Sequence, residues 1–264
     1  MTSAMQGRDY WEADVDGYVA MAEPFTGLFC ADAVALAEIG PGMTLLDVAT
    51  GPGALALAAE EAGALVTAID FSQAMIERLT ERAAGRRIVA RRMDGQALDL
   101  PDAAFDRACS VFGVPLFPDW RAGLAEMARV VRPGGIAVVA TASTAVGFGP
   151  NMVLAEARSA LFPGTPVTIG INGMTALSDP ERLGTAMRDA GFAAVEIHER
   201  THAFDFPVAI FEGGAMLDAN PALDGLTPSD RERVVAQARS IAGPRSDGGR
   251  MRLECTALMA VARR

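Results

Sequence analysis

The sequence predicts an open α/β fold: a mostly parallel, seven-stranded sheet with helices on both faces and an antiparallel pair of strands at its C-terminal edge. Three observations carry that prediction. Residues 43–139 alternate short β-like runs with helical patterns, as crossover connections in a parallel sheet do. Half of the 264 residues are apolar, enough to fill the sizeable core of one large domain. Two late strand-like segments are joined by an insertion rather than a crossover helix, which returns the chain antiparallel.

In chain order, residues 10–23 and 26–38 read as two helices before the first strand. Strands are expected at 44–49, 65–69, 88–93, 107–112 and 136–141, with helices at 54–62, 72–83 and 120–131 between them. Ser72 is placed to cap the second of these helices, and Pro133-Gly134-Gly135 to stop the third. Segment 142–177 is too long for a plain connection and holds a helix around 151–161. Ser178-x-x-Glu181 then forms a capping box, with Pro180 in the first turn of a helix ending near Gly191. Strands at 192–202 and 254–262 follow, with helical stretches at 207–217 and 228–241 between them, the latter capped by Thr227. We expect one domain over 1–264. Its parts are N-terminal lid helices at 10–38, a ligand-binding core at 43–141, and lid insertions at 142–177 and 203–253.

Composition excludes several chemistries. All 23 basic residues are Arg, so there is no Lys for a P-loop, a pyridoxal-phosphate Schiff base or a Tyr-x-x-x-Lys dehydrogenase site. A net charge of −10 argues against nucleic acid as a partner. Cys30, Cys109 and Cys255 are scattered and only two His occur, so neither a disulfide framework nor a metal site is expected. No uncharged apolar run reaches membrane-spanning length and residues 1–14 lack a signal-peptide pattern, which leads us to expect a soluble cytoplasmic protein without a membrane partner. The oligomeric state is not legible.

The chemistry is concentrated where the first strand runs through Asp47-Val48-Ala49-Thr50-Gly51-Pro52-Gly53 into a helix. Glycines there let a ligand approach the backbone, and Asp70, nineteen positions after Gly51, closes the second strand where a carboxylate can accept ribose hydroxyls. Gly51-x-Gly53-x-x-Ala56 also fits a nicotinamide-dinucleotide turn, which leaves an NAD(P)-dependent oxidoreductase as the alternative. Asp47 discriminates: a carboxylate entering the loop repels a pyrophosphate and attracts an ammonium group.

At this point the sequence resembles the class I S-adenosylmethionine-dependent methyltransferases, especially the group containing quinone-biosynthesis C-methyltransferases and small-molecule methyltransferases. The resemblance rests on DVATGPG at 47–53, AIDFSQAMI at 68–76, MDGQALDLPDAAFD at 93–106, SVFGVPLFPD at 110–119 and RVVRPGG at 129–135. It implies a Rossmann-like fold, S-adenosyl-L-methionine as cofactor and S-adenosyl-L-homocysteine as product. By the same resemblance Asp47, Ala49, Thr50, Gly51 and Gly53 hold the amino-acid end, and Asp70 takes the ribose hydroxyls with Phe71 and Met75 beside the adenine. Asp94 and the Gly95 backbone meet the adenine edge, and Ser110 to Phe112 border the sulfonium and the substrate mouth. Trp11 and Tyr18, seven apart on one helical face, belong to a segment that folds over the cofactor in this family; Tyr18 is a cofactor and substrate candidate, Trp11 and Phe112 substrate candidates.

The resemblance stops short of DNA and protein amino-methyltransferases, because their Asn/Asp-Pro-Pro-aromatic tetrad is replaced by Ser110-Val111-Phe112-Gly113. A small organic acceptor of partly apolar character is therefore expected, methylated at O, N or C; a non-catalytic S-adenosylmethionine binder is the further alternative. Methyl transfer is an in-line displacement that alignment and water exclusion can accelerate without a catalytic residue. His198 and His202 are the only conventional neutral-pH bases, and their strand face, shared with Glu196 and Arg200, reads as an exposed polar face. No indispensable base is expected beneath a lid of residues 10–23, 142–177 and 207–217.

Overall fold

The computed structural model describes residues 6–165, 167, 172–213, 217 and 220–264. Three helices, α1 (Arg8–Ala13), α2 (Val15–Met21) and α3 (Glu23–Leu36), precede the sheet. The expected 10–23 helix is two, because Asp14 leaves helical geometry at φ −152° and its carboxylate accepts the Gly17 N–H at the start of α2.

The core then alternates β1 (Thr44–Val48), α4 (Ala54–Glu61), β2 (Leu65–Asp70), α5 (Gln73–Arg82), β3 (Ile88–Arg92), β4 (Phe105–Val111), α6 (Trp120–Val130) and β5 (Val131–Ala142). Ser72 caps α5 as expected, its Oγ accepting the Met75 N–H. Pro133-Gly134-Gly135 does not separate helix from strand. The chain turns extended at Val131, and the three residues form an irregularity inside β5, between the Phe105–Val131 and Arg107–Ile136 pairings. Arg132 precedes Pro133, which disfavours continued helix.

Beyond β5 lie α7 (Pro150–Leu161), α8 (Asn172–Leu177), α9 (Pro180–Asp189), β6 (Ala194–Pro207), α10 (Pro228–Ala242), β7 (Ser246–Asp247) and β8 (Arg250–Arg263). The cap of α9 is Asp179, whose side chain accepts the Arg182 N–H, while Ser178 Oγ donates to the Thr175 carbonyl instead. Thr227 caps α10 as expected. The stretch expected to be helical at 207–217 is a short 3₁₀ turn over Val208–Glu212; residues 214–216 of it lie outside the described residues, as do 166 and 168–171 of the expected 142–177 lid.

The sheet order is β3-β2-β1-β4-β5-β8-β6, with β7 on β8. Strands β1 to β5 pair parallel, and β8 runs antiparallel to both β5 and β6, as the late strands predict. Both late strands are 14 residues long, well past the expected ends, and the insertion between them shrinks to 208–249. Because β1 has β2 on one side and β4 on the other, the chain reverses its winding at β1, and a crevice opens at the carboxyl ends of these strands.

One core packs α6 and α9 on a face of the sheet, and a second packs α3 and α4 on the other. A third, formed by Val153, Leu154, Phe206, Phe211, Val234 and Met251 among others, joins α7 and α10 to the far halves of β6 and β8. Among the described residues no single helix is long and apolar enough to cross a membrane; α2 and α3 pass that test only as a pair bent by 69°.

Candidate active site

The crevice at β1 holds Asp47, Ala49, Thr50 and Tyr18 of the residues that the sequence singled out. Asp47, the second-to-last residue of β1, is 1% exposed, and its Oδ2 accepts the Thr50 hydroxyl at 2.6 Å. Burial pushes the carboxyl up to about 7, and the nearby Asp70 charge adds to the shift. Asp70, at the end of β2, accepts the backbone N–H groups of Gly51 and Ser72, both at 2.9 Å. Burial raises it to about 6 against the pull of those bonds. Among the described residues neither carboxylate has an ion-pair partner.

The loop between them is strained into shape. Ala49 has φ +58°, Gly51 +55° and Gly53 +94°. At Gly53 a side chain is excluded twice over, since a Cβ there would lie 2.2 Å from Leu79 Cδ1 as well as at an unfavourable φ. A cleft with about 340 Å³ of empty space opens above the loop, lined by Asp47, Ala49, Thr50 and Val111 from the sheet side and by Tyr18, Glu23, Thr26 and Cys30 from α2 and α3. The Tyr18 hydroxyl is pushed up to about 12 by burial, so it stays protonated.

The N-terminal helices are tied to the start of α5, beside Asp70. Glu12 accepts the N–H groups of Gln73 and Ala74 at 2.8 and 3.0 Å, so a carboxylate from α1 satisfies the open N-terminus of α5. Those bonds hold its carboxyl below the usual range. The Ser72 hydroxyl donates to the Trp11 carbonyl, and Trp11 and Tyr18 meet edge to face at 5.9 Å across the α1–α2 break. Arg82 joins lid to loop, pairing with Glu23 at 2.7 Å and donating to the Pro52 carbonyl at 2.9 Å.

Other expected residues stand apart from the cleft. Met75 is buried on α5, and Phe71 is half-buried. Asp94 is exposed and accepts the Gln96 backbone and side-chain N–H groups; Gly95 is buried against Phe117. Ser110 is buried, its Oγ accepting the Val114 N–H. Phe112, at φ +63°, enters an aromatic cluster with Phe25, Phe29 and Phe148.

The two histidines part company. His198 pairs only with Glu196 at 3.6 Å and lies four residues back along β6, roughly 13 Å from His202 at strand rise. His202 is not on an open polar face: α3 covers this end of β6, Asp32 Oδ2 lies 2.6 Å from His202 Nε2, and the Phe29 ring meets the imidazole edge to face at 4.8 Å. Asp32 also faces Arg200 at 3.5 Å. The sequence reading missed Asp32, Phe25 and Phe29, although their spacing of four and three residues on a helix puts them on one face. It also missed Glu12, whose role depends on a contact 61 residues away in the chain.

Chemically, the cleft offers the buried Asp47 carboxylate, with Asp70 close by at the end of β2, neither with an ion-pair partner among the described residues, beside a glycine turn and with a cluster of phenylalanine rings next to it. That combination suits a ligand bringing positive charge and hydroxyl groups rather than phosphate. Comparison with known proteins agrees. A family profile described as a methyltransferase domain matches residues 46–139. An uncharacterized protein of Mycobacterium tuberculosis is 38% identical over 136 residues, 51% of this chain and 49% of that protein, so the chain spans about half the length of the first curated relatives it matches. A demethylmenaquinone methyltransferase of Corynebacterium urealyticum is 32% identical over 191 residues, covering 69% of this chain and 80% of the relative. Among solved structures, a Haemonchus contortus phosphoethanolamine N-methyltransferase 2 in complex with phosphomonomethylethanolamine and S-adenosylhomocysteine superposes with a TM-score of 0.58 at 14% identity, over 97% of this chain and 58% of that one.

Proposed function

We propose that this chain, which belongs to the class I S-adenosylmethionine-dependent methyltransferases, moves the methyl group of its cofactor to an oxygen, nitrogen or carbon of a small, partly apolar organic acceptor. S-adenosylmethionine is the cofactor of the family, supplying an activated methyl on a sulfonium, and S-adenosylhomocysteine is what remains. The observation that carries the reading is the pair Asp47 and Asp70, buried at adjacent strand ends without a counter-cation.

In this reading Asp47 faces the ammonium of the cofactor's amino-acid end, together with Ala49, Thr50, Gly51 and Gly53. Asp70 accepts the ribose hydroxyls, Phe71 and Met75 lie on the adenine side, and Asp94 with the Gly95 backbone meets the adenine edge. Tyr18 and Trp11 close the cleft, while Ser110 and Phe112 border the mouth where the acceptor enters. The chain's main contribution to the transfer is to align the acceptor with the methyl group and keep water out, with a base needed only for a nucleophile that arrives protonated. Val111 in the cleft lining and the Phe112 ring beside it support an acceptor with apolar surface; the negative net charge supports a diffusible molecule over nucleic acid. A cytoplasmic location is part of the same proposal.

The test is calorimetry of S-adenosylhomocysteine against NADH. Micromolar binding of the former and none of the latter supports the reading, since Asp47 repels a pyrophosphate. Tighter binding of NADH rejects it in favour of an oxidoreductase, and binding without methylation of any acceptor in a small-molecule panel favours a non-catalytic binder.

A further inference from the structure

We propose that the acceptor is a planar hydroxylated aromatic, that Phe148 occupies its slot when it is absent, and that His202, positioned by Asp32, takes the hydroxyl proton. The proposal deepens the methyltransferase reading and rests on it.

The slot is an aromatic enclosure beside the cleft. Phe148 lies 4.9 Å from Phe25, 5.0 Å from Phe112 and 6.0 Å from Phe29, centroid to centroid. Phe204 closes the far side at 4.8 Å from Phe25. Rings at these separations have the spacing of offset-stacked and edge-to-face pairs, so a planar aromatic replacing one of them inherits the same contacts. Phe148 is the ring suited to leave. It is half-buried, it sits in the link from β5 to α7 rather than on a regular element, and it is flanked by Gly147 at φ +78° and Gly149 at φ +62°. Phe29, in contrast, is completely buried on α3. The slot adjoins the cleft directly: Phe112 follows Val111, and Phe29 precedes Cys30, both of which line it.

An all-phenylalanine enclosure would accept any flat apolar molecule. His202 gives it a polar end. Its Nε2 is committed to Asp32, which fixes the tautomer with the proton on Nε2 and leaves Nδ1 as the lone pair available to a ligand. The groups facing the imidazole are Asp32 and Phe29 from α3, Arg200 and Phe204 on its own strand, and Cys255 opposite on β8. Asp32 stabilises the imidazolium that proton uptake creates, and Arg200 offsets part of the carboxylate charge. In the transfer, the acceptor O–H bond breaks and its proton goes to His202 Nδ1. The freed oxygen pair forms the new O–C bond to the methyl carbon as the S–C bond breaks, its electron pair staying on sulfur.

The test titrates 4-nitrophenol, whose phenolate is yellow and whose phenol is not, into protein saturated with S-adenosylhomocysteine at about pH 6. Calorimetry first establishes that each variant binds S-adenosylhomocysteine, which also reports that it is folded. We expect bound dye to be yellow in the native protein and to remain uncoloured phenol in His202→Gln, which still binds it through the ring contacts but about tenfold more weakly, because the proton transfer that favours the bound phenolate is lost. Asp32→Asn should reduce the phenolate fraction about tenfold. Phe148→Ala should bind the dye more tightly, because no ring must be displaced. Failure of native protein to bind S-adenosylhomocysteine sinks the methyltransferase reading and this proposal with it. S-adenosylhomocysteine binding without dye binding, or equal colour in native protein and His202→Gln, overturns this proposal alone.

Discussion

If Asp47 receives an ammonium group, cofactor affinity must follow its ionisation. The carboxyl titrates near 7 when the cleft holds no ligand, because burial disfavours its charge, and Asp70 titrates near 6 for the same reason. A cation binds the ionised forms, so the apparent dissociation constant grows as pH falls through these values. Between about pH 8 and pH 6, Asp47 alone weakens S-adenosylhomocysteine about tenfold and Asp70 contributes about another factor of two, together about 1.8 kcal/mol. The protein without cofactor behaves oppositely. A carboxyl whose folded value is raised stabilises the fold below its unfolded value near 4, and that contribution is lost as pH rises through about 6 to 7. Isothermal calorimetry at several pH values, in buffers of different ionisation enthalpy, measures both the affinity and the proton released. In Asp47→Asn the larger part of the pH dependence should vanish, and the melting temperature of the cofactor-free protein should rise at pH 8 more than at pH 5. Constant affinity from pH 6 to 8 with no proton release would refute the electrostatic argument.

Asp70→Asn should weaken S-adenosylhomocysteine by about 1.5–3 kcal/mol through loss of charge-assisted bonds, and unchanged affinity by calorimetry would remove Asp70 from the site. Glu12→Ala frees the first two N–H groups of α5 while Ser72 still caps the third, and should cost about 1 kcal/mol of stability and speed hydrogen exchange at the Gln73 and Ala74 amides; exchange rates equal to native would show that this contact is not formed in solution. Gly53→Ala forces a Cβ against Leu79 at φ +94°, and should lower stability by about 2–4 kcal/mol in denaturant titration; a native midpoint would contradict the close approach.

What the sequence disclosed followed the range of the forces involved. The β/α alternation and the order of strand ends are local patterns, and they located β1 to β5, the Asp47 loop and Asp70 before any coordinates. Caps were legible where one side chain had one role, as at Ser72 and Thr227, and misread at Ser178, where Asp179 competes one residue away for the same N–H groups. The break at Asp14 was hidden because Trp11 and Tyr18 keep helical spacing while a polar side chain takes the backbone bond between them. His202 was misjudged because alternation along a strand tells which residues share a face, and says nothing of what covers it; α3, 170 positions earlier at Asp32, does so. Arg129 shows the same limit, gathering the Leu98 and Leu100 carbonyls, Asp102 and Glu126 around one guanidinium that no periodicity announces.

The length of β6 and β8 makes these two strands a beam shared by two rooms. Their near halves are built into the sheet, where Ala194 to Arg200 face partners that β5 in turn holds, and their far halves carry Phe204 and Phe206 into the core beneath α7 and α10. His202 sits where the supported part of the beam gives way to the overhang. Substitutions in the α7–α10 core can therefore tilt the aromatic wall and the imidazole together while Asp47 and Asp70, anchored three strands away or more, keep their places. On the proposed assignment of the two ends, acceptor preference can thus drift through changes in the α7–α10 compartment while the cofactor end keeps its geometry.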